Sequence, residues 1–297
     1  MGRLGRVIAL LLGGALGGCS GADVLNGLAS DAGVSVRRDI AYGAEPGQRL
    51  DLYSPEPPES GAPIVVFFHG GGWESGTPGG YRFLGTALAR RGVTVAVAGY
   101  RLYPAVRYPG FVEDGALAVR WAHDSLAPEG RVFVMGHSAG AYIAAMLALD
   151  PRWLGAVGLR PGRDLAGMIG LSGPYDFLPL QSPTLRTIFG PEAERPATQP
   201  IRYVNAEAPP IFLATGCADR VVDPANTARL AAAQRTVGGS VSTSAYPGIG
   251  HVLTIGAFAG PLRFTAPVLA ETLAFLRDPG AATGTTAGTA TCAAPPA

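Results

Sequence analysis

The sequence of 297 residues contains no lysine; all 23 of its basic residues are arginine, a compositional bias that carries no mechanism by itself. With 22 acidic residues the formal net charge is +1, so there is no electrostatic footprint for a nucleic-acid partner. Charged residues are scarce at 15% and hydrophobic ones abundant at 47%, which excludes a disordered chain and describes a globular one. Beyond the first twenty residues no stretch approaches the roughly twenty consecutive apolar residues a membrane-spanning helix requires. There is no internal repeat. Histidine is rare too, with four in the whole chain.

The first twenty residues differ in kind. MGRLGR gives a short positive start, VIALLLGGALGG an apolar run, and small residues precede Cys19, the three regions of a secretory signal peptide. LGGCS also resembles the lipobox of bacterial lipoproteins, in which cleavage falls just before a cysteine that is then lipidated. The expected organisation is a signal peptide of lipoprotein type over 1–18, a linker over 19–34, one globular domain over 35–278 and a disordered low-complexity tail over 279–297. Lipidated Cys19 would anchor the protein at the bacterial cell envelope, its one membrane contact; an ordinary secretory signal would leave it secreted or periplasmic. Of the three cysteines, Cys217 and Cys292 then remain. Cys292 lies in GAATGTTAGTATCAAPPA, which has no hydrophobic periodicity, so no structural disulfide is expected.

The middle of the chain alternates two patterns. PIVVFFH, VTVAVAGY, RVFVMG, AGMIGLS and IFLATG are continuous apolar runs of the kind found in strands buried on both faces. Between them FVEDGALAVRWAHDSL, AGAYIAAMLAL and PANTARLAAAQRTV carry apolar residues at helical spacing. The alternation predicts an α/β fold, a mostly parallel central sheet with helices on both faces. VSVRRDIAYG and RLDLYSP read as an antiparallel pair at its edge, VSTSAYPG as a last strand and RFTAPVLAETLAFL as a last helix. The proline-rich stretch from Gly173 to Pro210 reads as a small insertion after the sixth strand.

The chemistry centres on GHSAG. Ser138 stands between a strand and a helix in G-x-S-x-G, where a sharp turn lifts the hydroxyl to the sheet's C-terminal edge and the helix N-terminus favours developing negative charge. A serine hydroxyl needs a base. His137 is the serine's neighbour and points away from it, His123 lies in a preceding helix, and His69 belongs to HGGGW. His251, in the GIGH loop after the last strand, is therefore the candidate base. CADRVVD offers Asp219 and Asp223 as the carboxylate that orients it. Asp223 precedes Pro224 and a helix, where a cap explains it, so Asp219 is preferred. HGGGW follows the strand PIVVFF and offers the N–H groups of Gly71 and Gly72, with that of Ala139, to an oxyanion. Trp73, Tyr175 and Phe177 are candidate pocket residues. Cys217 reads as a small buried residue, and Glu113 and Asp114 as helix-start carboxylates that complement the dipole.

On HGGGW, GHSAG, ADRVV and GIGH the chain resembles the α/β-hydrolases from about Val36 to Arg277, in particular the esterase branch that holds hormone-sensitive-lipase-like carboxylesterases, isoprenylcysteine methylesterase-like enzymes and kynurenine formamidases. AGYRLYP and YPGFVEDGALAVRW are similar to this branch as well, which implies that Tyr100 to Pro109 forms part of the mouth of the site. The resemblance implies the α/β-hydrolase fold, a Ser138–His251–Asp219 triad, no metal and no organic cofactor. The expected activity is hydrolysis of small acyl esters through an acyl-enzyme. An arylformamidase, a carbohydrate-ester deacetylase and a non-catalytic envelope binding protein stand as alternatives.

Overall fold

The computed structural model describes residues 21–58, 60–127, 131–280 and 292; the expected signal peptide, Cys19 and nearly all of the expected tail lie outside the described residues. Eight strands form one sheet: β1 (Val34–Ala41), β2 (Arg49–Pro55), β3 (Ile64–Phe68), β4 (Thr94–Ala98), β5 (Val132–His137), β6 (Gly167–Leu171), β7 (Ile211–Gly216) and β8 (Val241–Tyr246), in the order β1-β2-β4-β3-β5-β6-β7-β8. β2 runs antiparallel to both of its neighbours, β1 at the edge and β4, and from β4 through β3, β5, β6 and β7 to β8 every pair is parallel.

The central strands are apolar throughout because both faces are covered. Along β3, Ile64, Val66 and Phe68 face one core, and Val65 and Phe67 the other, as the two-residue period of a strand requires. The first core is closed by α3 (Gly110–Leu126), α4 (Ala139–Leu149) and α5 (Ala225–Thr236); the second by α2 (Arg82–Ala89) and α7 (Val268–Arg277). Within the stretch expected as a linker, Gly21–Gly27 form a helix, α1, whose Leu25 is buried in the second core. The insertion after β6 holds a short helix, Pro183–Ile188, and two 3₁₀ helices, Glu192–Thr198 and Pro200–Tyr203, and it docks on the first core through Leu180, Ile188 and Phe189.

Two expectations are corrected. Asp114 does not simply complement a helix dipole. It is fully buried and accepts from Gln48 Nε2 at 2.6 Å, Arg101 N at 2.8 Å and Arg101 Nη2 at 2.7 Å, so one carboxylate ties two loops to α3. Cys217 and Cys292 form a disulfide, with Cα atoms 5.1 Å apart. Cys217 lies just past β7, its N–H donating to Tyr246 O of β8 at 2.9 Å, and Cys292 sits in a groove between α5 and β8 beside Thr227 and Thr243. A segment needs no apolar periodicity when one covalent bond closes it onto the fold.

Candidate active site

β3, β5, β7 and β8 point the same way, so the residues after each arrive at one edge of the sheet: His69 to Trp73, Ser138, Asp219 and His251. At the end of β5 the chain turns directly into α4 with Ser138 at φ 56°, ψ −123°, a left-handed conformation costly for a residue with a side chain. The flanking glycines make the turn sterically feasible. A Cβ on Gly136 would lie 2.1 Å from Gly140 O, and one on Gly140 would lie 2.0 Å from Phe68 O. The elbow is secured by Ser138 N, which donates to Leu171 O of β6 at 2.9 Å.

The glycine loop after β3 winds through φ 124° at Gly71, 63° at Gly72 and 64° at Trp73. It is held from behind. Tyr100 stacks on the His69 ring at 4.3 Å and donates its hydroxyl to His69 O at 2.8 Å, Tyr81 Oη accepts from Gly70 N, and Tyr103 N donates to Trp73 O at 2.9 Å. AGYRLYP thus braces the loop, and none of Tyr100 to Pro109 is among the residues lining the cavity at Ser138. His69 donates Nδ1–H to Gly70 O at 2.7 Å; burial lowers its pKa to about 4, so the ring is neutral.

Asp219 Oδ1 accepts from the N–H groups of Val221 at 2.8 Å and Val222 at 2.9 Å, which leaves Oδ2 for His251 Nδ1 at 2.7 Å. Burial of Asp219 pushes its pKa up, but the hydrogen bonds from His251 and the two backbone amides outweigh that and hold it below the ordinary carboxylate value. Asp223 instead accepts from Ala225 N at 3.0 Å at the start of α5 and faces Arg229. His251 is not in a loop. It opens a short helix, α6 (His251–Gly256), with extended Gly250 before it. His137 does not stand apart either: its ring lies 4.6 Å from that of His251, and its Nε2–H donates to His251 O at 3.1 Å. Burial, then the neighbouring His251, lowers the pKa of His137 to about 3. Sequence reasoning missed this residue because its partner is a backbone carbonyl 114 positions away, which leaves no local signal.

A cavity of about 690 Å³ opens at the serine, lined by Ser138, Ala139, Gly72, Trp73, Phe177 and Leu185 among others. Trp73 packs edge-on against Tyr142 and Phe189 at its inner end. Tyr175, expected here, is fully buried under Gly170 and Gly173 and is not among the lining residues. Arg229 with Asp176 at 2.7 Å forms part of the outer wall. Among the described residues no group of three or more His, Cys, Asp or Glu is placed to hold a metal ion.

The family model named BD-FAE matches residues 50–233, more than half of the chain. The chain belongs to the BD-FAE family. The match runs from β2 to α5 and so takes in the glycine loop, the elbow and Asp219, with His251 outside it. This BD-FAE chain is 38% identical over 119 residues to an isoprenylcysteine alpha-carbonyl methylesterase of Arabidopsis thaliana, covering 39% of this chain and 28% of that protein. It is 29% identical over 252 residues to esterase LipC of Mycobacterium tuberculosis, covering 76% of this chain and 62% of that protein. A kynurenine formamidase of Danio rerio is 31% identical over 144 residues, 48% of each chain. The BD-FAE chain spans 25% to 36% of the length of the plant methylesterases it matches. Among solved structures, esterase B from Lactobacillus rhamnosis superposes with a TM-score of 0.74 at 21% identity, over 93% of this chain and 94% of that one, and shows the same α/β-hydrolase fold.

Proposed function

We propose that this BD-FAE protein is a serine carboxylesterase that cleaves small carboxylic esters through an acyl-enzyme, within one catalytic unit of residues 35–278. Ser138 Oγ attacks the ester carbonyl while His251 takes its proton. The oxyanion is held by the N–H groups of Gly71, Gly72 and Ala139, each such donor contributing about 3 kcal/mol to the transition state. His251 returns the proton to the leaving alkoxide, and water then releases the acid by the reverse sequence. Asp219 fixes the imidazole tautomer and stabilises its cation. The reading is carried by one observation: a 2.7 Å pair between His251 Nδ1 and an Asp219 already oriented by two backbone amides, on the sheet edge where Ser138 stands in a left-handed turn. Labelling by a fluorophosphonate probe, lost together with ester turnover in Ser138→Ala, is the expected result. Full turnover by Ser138→Ala would refute it.

The kynurenine formamidase relative favours a second reading, hydrolysis of an aryl formamide by the same groups. The ratio of kcat/KM on a short ester to that on the formamide separates the two, since the ester reading requires it to exceed one. We further place the protein in the bacterial envelope, anchored by lipid at Cys19. A Cys217–Cys292 disulfide supports a compartment outside the cytosol, where such bonds persist. Mass spectrometry of the mature N-terminus tests the anchor: a diacylglycerol adduct on Cys19 is expected, and an unmodified terminus would overturn it.

A further inference from the structure

A second cavity, of about 490 Å³, borders Gly70 and Gly71, whereas Gly72 borders the cavity at Ser138, so the two lie against successive residues of the glycine run. Leu25, Phe83, Val252 and Ile255 give it apolar walls; among the described residues no arginine lines it, and Asp23 is the one acidic residue in its lining. The α1 wall is tied in place. Asn26 Nδ2 donates to Gly79 O at 2.9 Å, Asn26 Oδ1 accepts from Phe83 N at 3.0 Å, and Arg82 Nη1 donates to Asn26 O at 2.7 Å.

The direction of the reaction assigns this space. When Ser138 Oγ bonds to an ester carbonyl, the carbon carries the serine oxygen, the oxyanion, the acyl substituent and the alkoxy oxygen. The oxyanion is fixed by the loop and the start of α4. As the carbon–alkoxy bond breaks, its electron pair stays on the alkoxy oxygen, which must receive its proton from His251, so the alcohol departs on the His251 side. The second cavity is on that side: Val252 and Ile255 follow His251 in α6, and His137, packed on His251, forms part of its wall. The acyl substituent is left with the cavity that Ser138 and Ala139 themselves line. We propose that the cavity between α1, the glycine loop and α6 receives the alcohol half of the ester, and that this half carries no negative charge, is largely apolar and is larger than methyl. The assignment rests on the esterase reading.

The experiment crosses two substrate series. Methyl acetate against benzyl acetate varies the alcohol, and methyl acetate against methyl hexanoate varies the acyl group. Gly79 lines the cavity and a Cβ there meets nothing within 4 Å, so Gly79→Leu has room to add bulk at this wall, while Leu25→Ala removes it. In Gly79→Leu the benzyl-to-methyl ratio of kcat/KM falls about tenfold or more, and in Leu25→Ala it rises about threefold, with the hexanoate-to-acetate ratio within about twofold of wild type in both. An acyl ratio that moves instead, or an alcohol ratio unmoved in a folded variant, overturns the proposal; should Gly79→Leu not fold, Leu25→Ala decides alone. Ester turnover that survives Ser138→Ala would refute the catalytic reading itself, a failure separate from either ratio.

Discussion

Asp219 and His137 act on His251 from opposite ends, one on its ring and one on its backbone. Asp219 is legible in the sequence as one of two carboxylates after a strand, and what separates it from Asp223 is that its Oδ1 is occupied by two amides while Oδ2 faces the imidazole. Asp219→Asn keeps the volume but removes the charge and the acceptor geometry. We expect kcat to fall by about a thousandfold or more with KM little changed, measured by steady-state kinetics on a short ester; a loss below tenfold would argue that Asp219 only props up its own turn. His137 is a positioning residue. Its Nε2–H bond to His251 O fixes the first residue of α6, and a neutral bond of this kind contributes about 1 kcal/mol. His137→Phe should therefore lower kcat about fivefold, and His137→Gln, which can present an amide donor near the same point, should recover most of it. Equal losses in both variants would show that ring packing, not the donor, matters.

At the level of elements, the strand-to-helix elbow is the feature the sequence disclosed most fully. An apolar run, a glycine-flanked serine and an alanine-rich helix are all local, and local patterns survive folding unchanged. The glycines are needed because β3 and α4 pass at backbone contact: Gly140 has Phe68 O where its Cβ would stand, at 2.0 Å. Gly140→Ala should cost about 3 kcal/mol or more, read as a lower urea midpoint, or should not fold at all. Gly155→Ala, at the end of the short helix Pro151–Gly155 with nothing within 4 Å of the added Cβ, should be neutral or slightly stabilising. Comparable losses at both positions would mean that glycine flexibility rather than close approach governs the elbow. What the elements do not disclose is how loops pair. The bracing of the glycine loop by Tyr81, Tyr100 and Tyr103 joins segments with no shared pattern, and so does the docking of the insertion through Leu180, Ile188 and Phe189.

For the whole molecule, covalent closure and proton uptake act on stability alongside the two hydrophobic cores. The disulfide closes a loop with a sequence separation of 75, and composition could not foresee it because a single cysteine needs no periodic surroundings to be held. Cys292→Ser should lower the unfolding free energy by about 2–4 kcal/mol in urea, and an unchanged value would mean that the bond adds nothing to the native state. Acid acts through the buried histidines. His69 and His137 have pKa values lowered by burial from 6.5 to about 4 and about 3, so between pH 6.5 and 4 the unfolded chain binds protons that the folded chain refuses. Stability then falls as pH is lowered, by about 1.4 kcal/mol per pH unit for each such group, or roughly 3 kcal/mol from His69 alone by pH 4. Asp219 acts in the same direction further down: its pKa is depressed in the fold, so its contribution is present above the ordinary carboxylate value and is lost as pH falls through the depressed one. Urea unfolding at pH 7.5, 5.5 and 4.5 should accordingly give steadily smaller free energies. Replacing His69 by Asn, which cannot take up the proton, should flatten that slope, even if the substitution lowers stability at every pH. A wild-type free energy unchanged down to pH 4.5 would show that these rings accept a proton without leaving the fold.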